Sequence, residues 1–229
     1  MNTVPLVKLC CIASVAEAQQ AHAAGAAALG LVSAMPSGPG VISDASVAAI
    51  AGAMRGVGAP VLVRTFLLTA RTTAESIAAQ HRAAGTTTLQ LVDHVPHAEL
   101  HQLRLLCPGV ELVQVIHVTG EASVADAQAA APWVDAVLLD SGNPALAVKE
   151  LGGTGRTHDW ALSRRIRDAI HPLPLWLAGG LRVHNVADAI RAVQPHGLDL
   201  CTGVRSEGRL DAVKLGAFMA AVADTRLPG

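Results

Sequence analysis

The chain has 229 residues, 51% of them hydrophobic and only 15% charged, with a formal net charge of −1. Such a composition excludes a disordered chain, and the near-zero charge argues against nucleic acid or an anionic membrane as a partner. No apolar run reaches the roughly 20 residues of a spanning helix, and residues 1–8 lack the basic start and apolar stretch of a signal peptide. A cytoplasmic protein is therefore expected, with its four cysteines reduced. There are two Phe, three Trp and no Tyr, so the core must be built from Ala, Val, Leu and Ile, as in parallel strands covered by helices.

In chain order, short β-branched runs alternate with Ala-rich helical stretches. Strands are predicted over 4–12, 28–32, 60–66, 87–92, 110–118, 136–139, 173–177 and 197–201. Helices are predicted over 15–24, 44–54, 73–84, 96–106, 123–130, 159–169, 183–193 and 212–222. In the last helix Val213, Phe218, Met219 and Val222 fall on one side. Eight strands alternating with eight helices predict an α/β fold, a single (β/α)8 TIM barrel over residues 1–229. The rival, a doubly wound open sheet, would place Gly-x-Gly-x-x-Gly after the first strand, and none is there. Cys10 and Cys11 adjoin on the first predicted strand, so their side chains are expected on opposite faces, unable to bridge each other.

In such barrels the chemistry lies at the carboxyl ends of the strands, with phosphate held after the last two. Glycines cluster there: Gly152-Gly153-Thr154-Gly155 after strand six, Gly179-Gly180 after strand seven and Thr202-Gly203 after strand eight. Glycine removes the Cβ that would keep a phosphate from the backbone N–H groups. Gly153, Thr154, Gly179, Gly180, Thr202 and Gly203 are therefore the candidate phosphate-binding residues. A small phosphosugar is the expected ligand.

Several segments carry a family likeness. They are VKLC (7–10), LLD ending at Asp140, LGGTGRTHDW (151–160), LAGGL (177–181) with Asn185 after it, and TGV (202–204). Together, and in order over nearly the whole chain, they resemble phosphoribosylanthranilate isomerase of tryptophan biosynthesis. The resemblance implies an intramolecular oxidoreductase that turns an aminoaldose into an aminoketose, an Amadori rearrangement, without a cofactor or metal. It implies Cys10 as the general base at sugar C2′ and Asp140 as the general acid at the ring oxygen. It leaves the oligomeric state open between monomer and homodimer. Lys8, two residues before Cys10, shares its inward face on the predicted strand and is placed to favour a thiolate.

The sequence also departs from that pattern. Cys11 stands where the family has glycine. Gly40 stands where its S-P-R-Y-V-S segment has the arginine that binds the anthranilate carboxylate. Gln90-Leu91-Val92-Asp93 replaces Q-L-H-G, His117 replaces an arginine, and Arg205 follows Thr202-Gly203-Val204. Arg64, His117 and Arg205 are therefore candidates, with Lys8, for direct substrate contacts. Two alternatives stay open: an isomerase-like barrel for a different phosphosugar, and a phosphate-binding homologue without the activity. His94, His97 and His101, spaced i, i+3 and i+7, read as a solvated helix face rather than a metal site.

Overall fold

The computed structural model describes residues 4–57, 62–142, 146, 149 and 157–225. Eight parallel strands close into a barrel in sequence order, β8 pairing back onto β1. They are β1 (Leu6–Leu9), β2 (Ala28–Val32), β3 (Arg64–Thr69), β4 (Thr88–Leu91), β5 (Glu111–His117), β6 (Ala136–Asp140), β7 (Leu175–Leu177) and β8 (Gly197–Leu200). Each is followed by a helix: α1 (Val15–Ala23), α2 (Asp44–Met54), α3 (Ala74–Ala84), α4 (His97–Leu106), α5 (Ala122–Ala130), α6 (Trp160–Ile170), α7 (Val186–Val193) and α8 (Ala212–Ala223).

Local chemistry sets several helix starts. Ser14, Ser43, Asp159 and Asp211 each accept a hydrogen bond from the first turn of α1, α2, α6 and α8. Because helices cover the outside and side chains fill the inside, both faces of the strands are apolar. One cluster, with Leu9, Leu29, Leu67, Leu139 and Leu177, packs between strands and helices. The other, with Phe66, Val113, Val115, Leu138 and Trp176, fills the barrel. Phe66 and Trp176 meet edge to face there, 5.7 Å apart.

The structure differs from these expectations at five places. The first strand ends at Leu9, because Cys11 takes a left-handed φ of 62° that no strand continues through. The third runs over Arg64–Thr69 rather than 60–66, shifted toward the carboxyl end; Leu67 and Leu68 belong to it because both of its faces are covered. In α8 the buried residues are Leu215, Phe218 and Val222, whereas Val213 is 82% exposed. A two-stranded hairpin, β9 (Arg205–Ser206) with β10 (Arg209–Leu210), was not anticipated. Its turn residues Glu207 and Gly208 both have positive φ, which suits a tight hairpin. His94 precedes α4 instead of lying on it, and His97 stacks on Trp133.

Candidate active site

Period-two alternation sends Lys8 and Cys10 inward from β1, and Asp199 and Cys201 inward from β8. The register aligns Lys8 with Asp199 and Leu9 with Leu200, so the two strands carry an ion pair with a pair of thiols one step above it. Lys8 is fully buried, its Nζ 2.9 Å from Asp199 Oδ1. Burial, the largest single influence, would lower the Lys8 pKa, but Asp199 together with the neighbouring Cys10 and Cys11 outweighs it and holds the ammonium above its ordinary range. A Cβ on Gly30 of β2 would stand 2.9 Å from Cys10 Sγ and 3.0 Å from Lys8 Nζ. Glycine there is what lets the ammonium and the thiol sit together over β2.

Asp140 is the last residue of β6 and, like Leu138 before it, faces inward. It shares with Cys10 a cavity at the carboxyl end of the barrel. Desolvation pushes the Asp140 carboxyl above the usual carboxylate range; Asp199 adds to this, while the Ser141 backbone N–H (2.7 Å), His117 and Lys8 oppose it. The result favours a carboxylic acid that carries its proton into the cavity.

Gly179, Gly180, Thr202 and Gly203 line the far wall of the same cavity. Gly179 and Gly180 have φ of 87° and 60°, and among the described residues their N–H groups donate to nothing. The turn is held from behind by Asn185, whose Nδ2 donates to the Gly180 carbonyl and whose Oδ1 accepts from the Arg182 N–H. A Cβ on Gly203 would lie 2.3 Å from the Leu181 carbonyl oxygen, so the two loops touch through bare backbone. Gly153 and Thr154 lie outside the described residues.

The four further candidates do not join the cavity wall. Arg64 points inward, over the Phe66 and Trp176 rings, but from the amino end of β3, where Glu111 pairs with it at 3.2 Å. It stands at the opposite end of the barrel from Asp140. Lys8 lies beneath Cys10 rather than at the cavity surface. His117, Asp140's register partner on β5, lines a neighbouring cavity with its Nε2 3.0 Å from the Val92 carbonyl oxygen. Arg205 is committed to Glu17 at 3.1 Å and to the carbonyl of Cys11, fastening the loop after β1 to the hairpin.

Sequence reading also missed residues. Asp199 lies within a predicted strand that carries no predicted role, although a carboxylate between two leucines in an all-buried strand signals a buried partner. Cys201 and Cys11 were not expected at the site, yet both line the cavity with Cys10. Cys10 and Cys201 push the Cys11 thiol up, while Cys11 and Arg205 hold Cys201 down despite its burial. The expectation that Cys10 and Cys11 face opposite ways fails because the strand has already ended at Leu9.

The family model for N-(5'phosphoribosyl)anthranilate (PRA) isomerase matches residues 63–221. The chain belongs to this family. The N-(5'-phosphoribosyl)anthranilate isomerase of Synechococcus elongatus is 34% identical over 223 residues, covering 96% of this chain and 97% of the relative. That of Methanocella arvoryzae is 32% identical over 209 residues, covering 91% and 93%. The phosphoribosyl anthranilate isomerase structure from Thermus thermophilus superposes with a TM-score of 0.78 at 26% identity, over 96% of this chain and all of that one. Among the described residues no helix is long and apolar enough to cross a membrane.

Proposed function

We propose that this chain is an N-(5′-phosphoribosyl)anthranilate isomerase of tryptophan biosynthesis, with Asp140 as general acid and Cys10 as general base. The observation that carries the reading is one cavity holding both residues on one side and the bare glycine loops on the other. The phosphate is bound by backbone N–H groups at Gly179–Gly180 and Thr202–Gly203. Asp140 donates its proton to the furanose oxygen as the C1′–O bond breaks, leaving a protonated imine. The Cys10 thiolate, with Lys8 beneath it, removes the C2′ proton, and the electrons flow into the imine to give the enolamine. Tautomerisation of the enol then yields the aminoketose. No net oxidation occurs and no cofactor is consumed. The enzyme is further proposed to work in the cytoplasm on this small phosphosugar alone, as a monomer or homodimer.

Turnover of phosphoribosylanthranilate by the purified protein tests the reading, and absence of turnover sinks it. Cys10→Ser and Asp140→Asn are each expected to lower kcat by roughly 10²–10⁴-fold, the usual contribution of a positioned acid or base. Because Asp140 must be protonated to act, and burial raises its pKa, kcat/KM should fall as pH rises through that raised value. An alkaline limb unchanged in Asp140→Asn would remove Asp140 from the acid role.

A further inference from the structure

Three of the chain's four cysteines meet on one cavity wall, where β1 and β8 close the barrel. The register aligns Leu9 with Leu200, and the Cys10 N–H donates to the Leu200 carbonyl at 2.8 Å. Cys10 and Cys201 come next on two chains that run about 4.8 Å apart. Cys11 would point away if the strand continued. Its left-handed φ of 62° brings its thiol onto the same wall instead, a conformation unfavourable for any residue with a Cβ. The Cys11 Sγ is within hydrogen-bond reach of Cys10, of Cys201 and of the Pro39 carbonyl, the last at 3.6 Å. One thiol proton therefore faces three acceptors.

The thiols differ in their surroundings. Cys10 and Cys11 are buried, whereas Cys201 is partly exposed. The Arg205 guanidinium, which holds the Cys10 and Cys11 carbonyls, also reaches the Cys201 sulfur. The hydrogen bond from Cys11, and then the Arg205 charge, favour a thiolate at Cys201 against its burial. Cys11, between two other sulfurs, keeps its proton. A partly exposed thiolate beside a cation, with a neutral thiol next to it, suits reaction with a hydroperoxide. Geometry selects the pair. Consecutive Cα atoms lie about 3.8 Å apart, short of the roughly 4.4–6.8 Å that a disulfide spans, so bridging Cys10 to Cys11 would distort the backbone. Cys107 belongs to the layer between strands and helices, away from this wall.

We infer that Cys201 and Cys11 are a peroxide-sensitive thiol pair beside Cys10, whose oxidation to a disulfide reversibly shuts the site. The Cys201 thiolate attacks one oxygen of a hydroperoxide ROOH. The O–O bond breaks, Cys201 becomes a sulfenic acid, and ROH leaves with the proton that the thiol had released. The Cys11 sulfur then attacks the Cys201 sulfur. The S–O bond breaks, and hydroxide leaves as water with the Cys11 proton. Two thiols lose two electrons, and the peroxide is reduced to ROH and water. The bond withdraws the S–H that Cys11 offers Cys10. It also ties the loop after β1 to the residue preceding Thr202–Gly203. Its effect on turnover, though not the bond itself, rests on the isomerase reading above.

The test treats the purified protein with hydrogen peroxide. Thiol titration after denaturation should fall from four groups to two, and peptide mapping should find Cys11 joined to Cys201. Turnover (kcat/KM) should drop at least about tenfold, the worth of one hydrogen bond to a charged group, and dithiothreitol should restore it. Cys201→Ser should keep the activity of its own reduced form under the same peroxide. In Cys11→Gly, where glycine suits the positive φ, no disulfide should form, and dithiothreitol should restore little after long exposure. Cys201→Ser inactivated as fast as wild type would overturn the inference, because Cys10 would then be the oxidised residue. A bond to Cys10 or Cys107, a thiol count that stays at four, or a Cys11–Cys201 bond that leaves turnover unchanged would overturn it too. Should Cys201→Ser not fold, wild-type mapping and Cys11→Gly still decide. A reduced protein inert toward phosphoribosylanthranilate overturns the isomerase reading alone, and the thiol count and the map then decide the bond.

Discussion

Lys8 and Asp199 show how one residue serves both stability and chemistry in this barrel. An ammonium buried inside a ring of strands is tolerable only beside a carboxylate, and the β1–β8 register supplies one at 2.9 Å. Removing one partner strands the other charge. Lys8→Met is expected to destabilise by ~3–5 kcal/mol, a fall of roughly 10 °C in Tm for a chain of this size. Lys8→Met/Asp199→Leu should recover most of that loss, because no unpaired buried charge remains. Thermal unfolding of both variants checks this; equal losses would mean that the pair is not coupled. The double variant should nonetheless remain a poor enzyme, since the cation beneath the Cys10 thiol is absent.

At the scale of elements, the glycine loops work because two backbones touch. Gly203→Ala would drive a Cβ to 2.3 Å from the Leu181 carbonyl oxygen, forcing apart the loops after β7 and β8. Such overpacking costs about 1–3 kcal/mol. The effect on catalysis should appear chiefly as a higher KM, because phosphate is held alike in ground and transition states. Steady-state kinetics with inorganic phosphate as competitor check this; an unchanged KM and inhibition constant would detach these loops from phosphate. The loops were legible in the sequence because glycine clusters at strand ends leave few other readings in a barrel. Asn185 was legible only as part of a motif, since its two hydrogen bonds to the turn depend on where α7 starts. The eight strands were legible because buried parallel strands are apolar on both faces. The same property blurred their ends, which is why β3 lay four residues from its expected start and β1 ended before Cys10. The hairpin after β8 is built from Arg205, Ser206, Arg209 and Leu210, none of which alternates in hydropathy, so nothing marked it. Arg64 was misplaced for a related reason: alternation gives the face of a strand but not the height along the barrel.

For the whole molecule, pH will act through histidines kept neutral by burial. His158, between Thr157 and the start of α6, has neither ring nitrogen partnered among the described residues. Desolvation lowers its pKa from 6.5 to about 4, only partly opposed by Asp159. His81 and His196 shift downward for the same first reason, burial. A depressed histidine binds fewer protons folded than unfolded, so its contribution is present above pH 6.5 and is lost as pH falls toward the folded value. At about 1.4 kcal/mol per unit, His158 alone accounts for on the order of 3 kcal/mol across that window. Asp140 runs the other way: its raised pKa makes the folded state bind the extra proton, so its burial penalty fades as pH drops. The histidines outnumber it, and urea midpoints should decline from pH 7 to pH 4 before most surface carboxylates protonate. In His158→Gln the decline should be shallower by about 3 kcal/mol, with stability at pH 7.5 little changed. A slope identical to wild type would mean that His158 titrates normally in the folded chain, and the acid sensitivity would then belong to His81 and His196.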